Sequence, residues 1–186
     1  GFEQACAASA AQRHAWARTM WTFVFKANLV DGFFNADPHP GNYIFQEDGA
    51  VAFVDYGCIQ PIDAHKLTLS RRLHRAAALR DEDTFRSTAH LYAGTRPGPY
   101  GDMAVTFMRR CFDPIFQSPY RMTRAYCADL FRTLMAMARE STRLPDHEVT
   151  PMPAGILFMN RMNFGFYSVL ARLDVEVDYA DVERAF

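Results

Sequence analysis

The chain has 186 residues, enough for one domain with a sizeable core, and its 49% hydrophobic and 14% aromatic content fits a packed helical body. A formal net charge of −1 excludes a general electrostatic attraction to nucleic acid or to anionic lipid, so we expect no nucleic-acid partner. No apolar run approaches the roughly 20 residues of a transmembrane helix, and no signal peptide is visible.

The cysteines give no sign of a metal site or of a disulfide framework. They lie far apart and form no Cys-x-x-Cys pair, which indicates buried or half-buried thiols in a reducing compartment. The four are Cys6, Cys58, Cys111 and Cys127. We therefore expect a cytoplasmic protein, with attachment to the periphery of a membrane as the alternative.

The first predicted element is an Ala-rich helix at 3–29, in which apolar residues recur at helical spacing and which should end near Gly32. Two short strands follow at 43–45 and 51–54, because both segments are rich in β-branched and aromatic residues. The Asp48-Gly49 pair between them is a strong hairpin signal. No other segment combines strand periodicity with a turn signal, so we expect one small β-hairpin.

The rest of the chain is predicted to be helical. Asp63 is a suitable N-cap, Ser118-Pro119 combines an N-cap with a first-turn proline, and Pro153 can open the last long helix. The predicted helices cover 63–80, 82–92, 100–116, 118–140, 153–173 and 179–185. The predicted fold class is therefore mainly α with one small β-hairpin.

The candidate catalytic and metal-binding side chains lie in the segment Asn35-Ala36-Asp37-Pro38-His39-Pro40-Gly41-Asn42 and, after the hairpin, in Asp55-Tyr56-Gly57. Kinase-like folds build a metal and phosphate site from an Asp, an Asn five positions later, and an Asp-aromatic-Gly turn. In this pattern Asp37 is the catalytic residue, which accepts a hydroxyl proton or orients a nucleophile. Asn42 and Asp55 are the predicted ligands of Mg²⁺, because that ion prefers oxygen ligands and is usually held by one or two carboxylates plus substrate phosphates.

The spacing of this segment also predicts its shape. Pro38 and Pro40 fix their own φ angles and keep the residue before each of them out of the helical region, so the loop should be extended and stiff. Gly41 then allows a sharp reversal that returns Asn42 toward Asp37. Because a hairpin returns the chain to its starting point, Asp55 should lie beside Asn42. The same stiffness suggests that the loop histidine braces the loop by a hydrogen bond.

The sequences of these segments resemble those of one protein family in particular. Residues 32–42 resemble the catalytic loop of the UbiB/AarF family of atypical kinases, which is linked to ubiquinone biosynthesis. Residues 54–57 resemble the metal-binding turn of that family, and residues 161–173 are similar to a helix near its C-terminal end. The resemblance implies the C-terminal lobe of a protein-kinase-like fold, Mg²⁺ and ATP as cofactors, and an isoprenoid quinone or a quinone-biosynthesis protein as a partner.

One residue departs from the family pattern, since Asn35 stands where the family usually has His. A His at that position generally braces the loop, so the resemblance implies a supporting role for Asn35. Loop-supporting roles are assigned to Asn35, Pro38, His39, Pro40, Gly41 and Gly57. Direct contact with the nucleotide or its metal is assigned to Asp37, Asn42 and Asp55.

A complete kinase-like enzyme also needs an N-terminal lobe, with a phosphate-covering loop and a lysine on a strand. Lys26 lies in the helix that leads directly to the loop and Lys66 follows the Asp-Tyr-Gly turn, so neither precedes the site on a separate sheet, and no Gly-x-Gly-x-x-Gly sequence occurs. We therefore expect this chain to be the C-terminal lobe of a larger protein, inactive without the N-terminal lobe. Its predicted parts are a leading helix (1–30), the loop, hairpin and turn (31–57), and a helical bundle (63–186).

Two other functions stay open. The connection from Gly57 to the helix at Asp63 is too short for a peptide-docking segment and contains no Ala-Pro-Glu, which argues against a conventional protein kinase. One alternative is a small-molecule phosphotransferase of the aminoglycoside-kinase type, whose loops also read Asp-x-x-x-x-Asn. The other is a non-catalytic, pseudokinase-like module that binds lipid or a partner. The apolar helix at 156–170 would then provide the isoprenoid groove, although such a pattern more often faces a core.

Overall fold

Helices form most of the chain, and the computed structural model describes residues 1–145, 148–149 and 154–186, with the side chains of 154–162 excepted. The α-helices in the described residues are α1 (Phe2–Cys6), α2 (Ala10–Lys26), α3 (Ala64–Ala78), α4 (Glu82–Ala93), α5 (Pro99–Cys111), α6 (Asp113–Phe116), α7 (Arg124–Ser141), α8 (Ala154–Leu173) and α9 (Tyr179–Arg184). The predicted mainly α fold is confirmed. Within the described residues, no helix has both the length and the apolar character needed to cross a bilayer.

The first predicted helix is divided into three segments. Ser9 interrupts it, because its hydroxyl accepts a hydrogen bond from the backbone N–H of Gln12 (3.3 Å) and so begins α2. Helix α2 continues into a π-helical turn, Ala27–Asp31, which ends at Gly32 in the left-handed conformation (φ 77°). This reversal at Gly32 directs the chain from α2 into the loop that carries the candidate site.

The predicted hairpin is present, and two further strand pairs accompany it. Strand β2 (Tyr43–Phe45) pairs with β3 (Val51–Phe53) in antiparallel register. The prediction of a single strand pair was incomplete in two places: β1 (Phe33–Asn35) pairs with β4 (Ile59–Pro61), and β5 (Tyr120–Arg121) with β6 (Glu176–Val177). No turn signal links the strands of these two pairs, because their partners lie 24 or more positions away along the chain.

The prediction that Ser118-Pro119 opens a helix was wrong. Residues 120–121 form β5 instead, and α7 begins at Arg124 with Thr123 as its N-cap. The Ser118 hydroxyl serves a distant helix, since it accepts a hydrogen bond from the backbone N–H of Ala180 (3.1 Å) in the first turn of α9. Ser118 therefore supports the first turn of α9 from a distance, while Asp178 is the N-cap of that helix.

Of the other predicted helix boundaries, one is confirmed, one helix is split in two, and one boundary lies outside the described residues. Asp63 does cap α3, since its carboxylate accepts hydrogen bonds from the backbone N–H groups of His65 and Lys66. The predicted helix at 100–116 is split into α5 and α6 at Phe112, because Pro114 has no N–H with which to continue the helical ladder. The proposed opening at Pro153 lies outside the described residues, although α8 itself agrees with the predicted span.

The core is centred on Trp21 of α2, whose side chain is fully buried. Its ring centroid lies 4.2 Å from those of Phe25 and Tyr179 and 6.0 Å from that of Phe166 in α8. The indole N–H donates to Glu183 of α9 (2.9 Å), and the other Glu183 oxygen lies 2.8 Å from Nδ1 of His74 in α3. Glu183 thus joins three helices in a buried polar group.

We expect Glu183→Ala to lower the free energy of unfolding by about 2–4 kcal/mol, because it leaves the Trp21 N–H and the His74 ring buried without these partners. Glu183→Gln keeps a carbonyl oxygen and should cost less. Urea denaturation followed by Trp fluorescence measures both variants, with Glu176→Ala, an exposed position on β6, as the control. A loss for Glu183→Ala no larger than that of the control would contradict a stabilising role for this group.

Candidate functional site

Strands β1 and β4 bring the start of the loop beside the residues that follow the Asp-Tyr-Gly turn. The backbone N–H of Ile62 donates to the carbonyl of Gly32 (2.8 Å), and the N–H of Ala36 donates to the carbonyl of Cys58 (3.0 Å). The side chains of Phe34 and Ala36 are buried under this pair. The residue before Asp37 is therefore fixed to the segment that leaves the turn.

Within the loop, Asp37 and Asn42 are connected directly. The Asn42 side-chain Nδ2 donates to the Asp37 carbonyl (3.2 Å), and the Asn42 backbone N–H donates to the carbonyl of His39 (2.9 Å). His39 has an extended backbone and begins a 3₁₀ turn, Pro40–Asn42, with Nδ1 accepting from the N–H of Gly41 (3.1 Å). His39 therefore makes a local hydrogen bond that supports the reversal at Gly41.

The hairpin brings the third candidate residue to the same place. Tyr43 pairs with Phe53 at the open end of the β2–β3 hairpin. One further backbone hydrogen bond, from the N–H of Val54 to the carbonyl of Asn42 (3.1 Å), extends this pairing. Asp55 follows immediately, and its Oδ1 accepts a hydrogen bond from the N–H of Gly57 (2.8 Å). Asp55 is thus held in a tight turn directly beyond the residue that pairs with Asn42.

The Asn35 side chain joins these two segments. Its Oδ1 accepts a hydrogen bond from the backbone N–H of Asp37 (3.0 Å), and its Nδ2 donates to the backbone carbonyl of Asp55 (2.6 Å). A single primary amide can form both bonds, because it carries an acceptor and donors on one rigid group. The Asp37 loop and the Asp55 turn, 18 positions apart in sequence, are thereby tied to one side chain.

The candidate site is accessible to solvent and also adjoins an apolar cavity. Asp55 is exposed and Asp37 and Asn42 are half-buried, so a large polar ligand has access to them. The cavity beneath, of about 40 Å³, is lined mostly by apolar and aromatic side chains, with Asn35 and Asp37 also in its wall. Burial, and to a lesser degree the charge of Asp37, raises the pKa of the Tyr43 hydroxyl well above its ordinary value.

The side chains present fit a metal that is shared with a phosphate better than a metal held by protein alone. In the described ranges, no group of three or more His, Cys, Asp or Glu side chains could hold a metal ion. Asn42 donates its side-chain nitrogen to the Asp37 carbonyl, which leaves its amide oxygen available to a metal, and Asp55 would add a carboxylate. Two oxygen ligands match the usual Mg²⁺ site, in which substrate phosphates and waters complete the shell.

Sequence reasoning missed two supports of this site. The first is α2, since Nε1 of Trp16 donates to the carbonyl of Gln46 (2.7 Å) and Oγ1 of Thr19 donates to that of Gly49 (3.0 Å), at the tip of the hairpin. The second is Gly165 of α8, which lies against the ring of Pro38. A glycine in the middle of a long apolar helix is the sequence signal that could have found this contact.

Comparison with known proteins supports a kinase-like fold. Residues 3–89, which include the whole candidate site, match the family model of the ABC1 atypical kinase-like domain. A solved structure, the complex of Rv3197 with erythromycin from Mycobacterium tuberculosis, superposes with a TM-score of 0.63 at 20% identity, over 95% of this chain and 44% of that chain. The fold is kinase-like.

Two uncharacterized proteins from Synechocystis share a short, closely similar segment. The protein slr0889 is 49% identical over 39 residues, which are 21% of this chain and 10% of that protein. The protein sll0005 is 45% identical over 38 residues, which are 20% of this chain and 6% of that protein. The chain therefore aligns with only a small part of these relatives and spans less than half of the solved one.

We expect Asn35 variants to loosen the two segments selectively. Asn35→Ala removes both bonds, so hydrogen exchange should speed up at the amides of residues 37 and 57. Asn35→Asp keeps an acceptor for the Asp37 N–H but removes the donor to Asp55, so only the turn should exchange faster. Exchange measured by NMR tests this, with core amides of α9 as the internal reference. Equal effects of both variants on both segments would contradict the bridging role.

Proposed function

We propose that this chain is the catalytic C-terminal lobe of an Mg²⁺- and ATP-dependent phosphotransferase or ATPase of the UbiB type, acting in support of ubiquinone biosynthesis. The observation that carries the proposal is the bonded unit in which Asn42 holds the Asp37 carbonyl, the hairpin continues to Asp55, and Asn35 joins both. These bonds hold Asp37, Asn42 and Asp55 in neighbouring segments at a solvent-accessible face, and a loop with only a structural task would not need all three of these side chains.

Each residue has a distinct role in this proposal. Asp37, at the mouth of the apolar cavity, accepts the proton of the attacking hydroxyl or orients an attacking water. Asn42 and Asp55 would hold Mg²⁺, and the bound ion would neutralise charge on the transferring phosphate. Asn35, His39 and the prolines keep these groups in place.

The segment after the turn favours an acceptor other than a peptide. In protein kinases the residues that follow the metal turn form a long segment that binds the peptide. Here residues 59–61 are strand β4, paired with β1, and α3 begins at Ala64. This arrangement supports a small molecule or water as the phosphate acceptor.

The nucleotide must be clamped by something outside the residues described above. Lys66, the lysine nearest the turn, donates to the Tyr92 carbonyl and lies over the Tyr92 ring, 4.9 Å from Nζ to the centroid. It is thus engaged between α3 and α4. Since the chain spans 44% of the solved relative, we propose that an N-terminal lobe in the complete protein supplies the phosphate-binding lysine and covers the ATP.

A non-catalytic, lipid- or partner-binding module is the second candidate. It is favoured by the large apolar side chains at the edge of the site, because Ile44, Val54 and Tyr56 are each at least half exposed. In the complete protein an N-terminal lobe would cover this edge, whereas a scaffold would use it for a partner. Turnover of ATP separates the two candidates.

We expect the site variants to separate binding from turnover in the complete protein. Asp55→Asn should abolish Mg²⁺-dependent ATP binding, because an amide cannot replace the charge of the carboxylate at the metal. Asp37→Asn should leave that binding intact and lower the rate of hydrolysis by a factor of about 10²–10⁴. Asn35→His, which restores the usual family residue, should change the rate less than either.

The measurements are ATP affinity by calorimetry and ATP hydrolysis by phosphate release, with Asp48→Asn at the hairpin tip as the matched control. The 186-residue chain alone should hydrolyse ATP far more slowly than the complete protein. Unchanged hydrolysis in Asp37→Asn would contradict the assigned catalytic role. A complete protein that binds its partner but turns over no ATP would favour the non-catalytic module.

A further inference from the structure

Helix α8 touches the loop at a position where there is no space for a side chain. A methyl group built on Gly165 would lie 2.2 Å from Cγ of Pro38 and 3.4 Å from its Cβ and Cδ. Carbon atoms in contact normally lie at about 3.5–4.0 Å, so the first of these separations cannot be tolerated. The ring of Pro38 therefore rests directly on the backbone of α8.

The helix on which Pro38 rests is firmly attached to the core. Phe166, the next residue, is fully buried, and its ring lies 6.0 Å from that of Trp21 and 6.3 Å from that of Phe25. The hydroxyl of buried Tyr167 donates to the carbonyl of Cys111 at the end of α5 (2.9 Å). The surface offered by Gly165 is therefore held between α2 and α5 and has little freedom to move away from the loop.

The loop residue in this contact is the neighbour of the candidate catalytic carboxylate. Pro38 follows Asp37 directly, and its ring fixes its own φ angle, so a displacement of the ring moves Asp37 as well. Asp37, Pro38 and Phe166 also line the same cavity. The close approach of α8 at Pro38 thus adds a second constraint on Asp37, besides the hydrogen bond from Asn42 to its carbonyl.

We propose that Gly165 is a positioning residue, whose missing side chain lets Pro38 seat against α8 and so sets the position of Asp37. The catalytic part of this inference rests on the proposed function, whereas the contact itself does not. Glycine is a poor choice for the middle of a helix, where alanine is better by about 1 kcal/mol. A helix with no contact to preserve would therefore be stabilised by alanine at this position.

The experiment compares Gly165→Ala, Pro38→Ala and the double variant in the complete protein, with Ser168→Ala, an exposed position on the same helix, as the matched control. We expect Gly165→Ala to speed hydrogen exchange at least tenfold at the hydrogen-bonded loop amides of residues 37, 41 and 42. The kcat for ATP should fall by a factor of about 10–100 while the affinity for Mg²⁺-ATP stays the same, because a small misplacement of a catalytic group costs rate.

The double variant tests whether the effect passes through Pro38. It lacks the Cγ atom that clashes, and the remaining Cβ of residue 38 would lie at the ordinary contact distance of 3.4 Å. Exchange at the amides of residues 41 and 42 should therefore be slower in the double variant than expected from the sum of the two single changes. If Gly165→Ala does not fold, recovery of folding in the double variant supports the contact, and failure of both overturns it.

The outcomes for the contact and for the function are separate. If the wild-type protein turns over no ATP, the proposed function is overturned. If hydrogen exchange in the loop is nevertheless faster in Gly165→Ala, the contact with Pro38 is upheld. Active wild-type protein in which Gly165→Ala matches Ser168→Ala, both in exchange and in kcat, upholds the function and overturns the positioning role of Gly165.

Discussion

The candidate site depends on one amide that joins two segments of the chain. Asn35 accepts from the N–H of Asp37 and donates to the carbonyl of Asp55, so the Asp37 loop and the Asp55 turn share a single rigid group. The other restraints on the two segments, such as the Asn42 bond to the Asp37 carbonyl and the Gly57 bond to Asp55, each lie within one segment or at its ends and do not join Asp37 to Asp55. A phosphate site needs its oxygen ligands placed to within a fraction of an ångström before the ligand arrives, which gives this link its importance.

The helices around the site hold this unit from two directions. Helix α2 fixes the far end of the hairpin through Trp16 and Thr19, and helix α8 supports the loop at Pro38. Both helices meet at Trp21, whose N–H is satisfied by Glu183 of α9. Burial of this aromatic centre therefore does more than stabilise the fold, because the two supports of the site are attached to the same core.

What the sequence predicts well is local. The hairpin at Asp48-Gly49 and the cap at Asp63 depend on residues a few positions apart, and both were confirmed. Ser118 shows the limit, because its preference for a helix N-terminus is satisfied by α9, about 60 positions away. Gly165 and Pro38 are even farther apart in sequence. No local sequence pattern predicts which element a glycine within a helix will contact. The placement of Asn35 lies between these cases, since loop support was predicted but its two partners were not.

The most direct test of the central claim is paramagnetic broadening of backbone amides in the complete protein, with Mn²⁺ in place of Mg²⁺ and a non-hydrolysable ATP analogue. If the loop and the turn form one metal and phosphate site, the amides of residues 37, 42 and 57 should broaden together and before the rest of the chain. This broadening should be absent in Asp55→Asn. Broadening centred on another part of the chain, or on residues 55–57 without 37 and 42, would contradict the account.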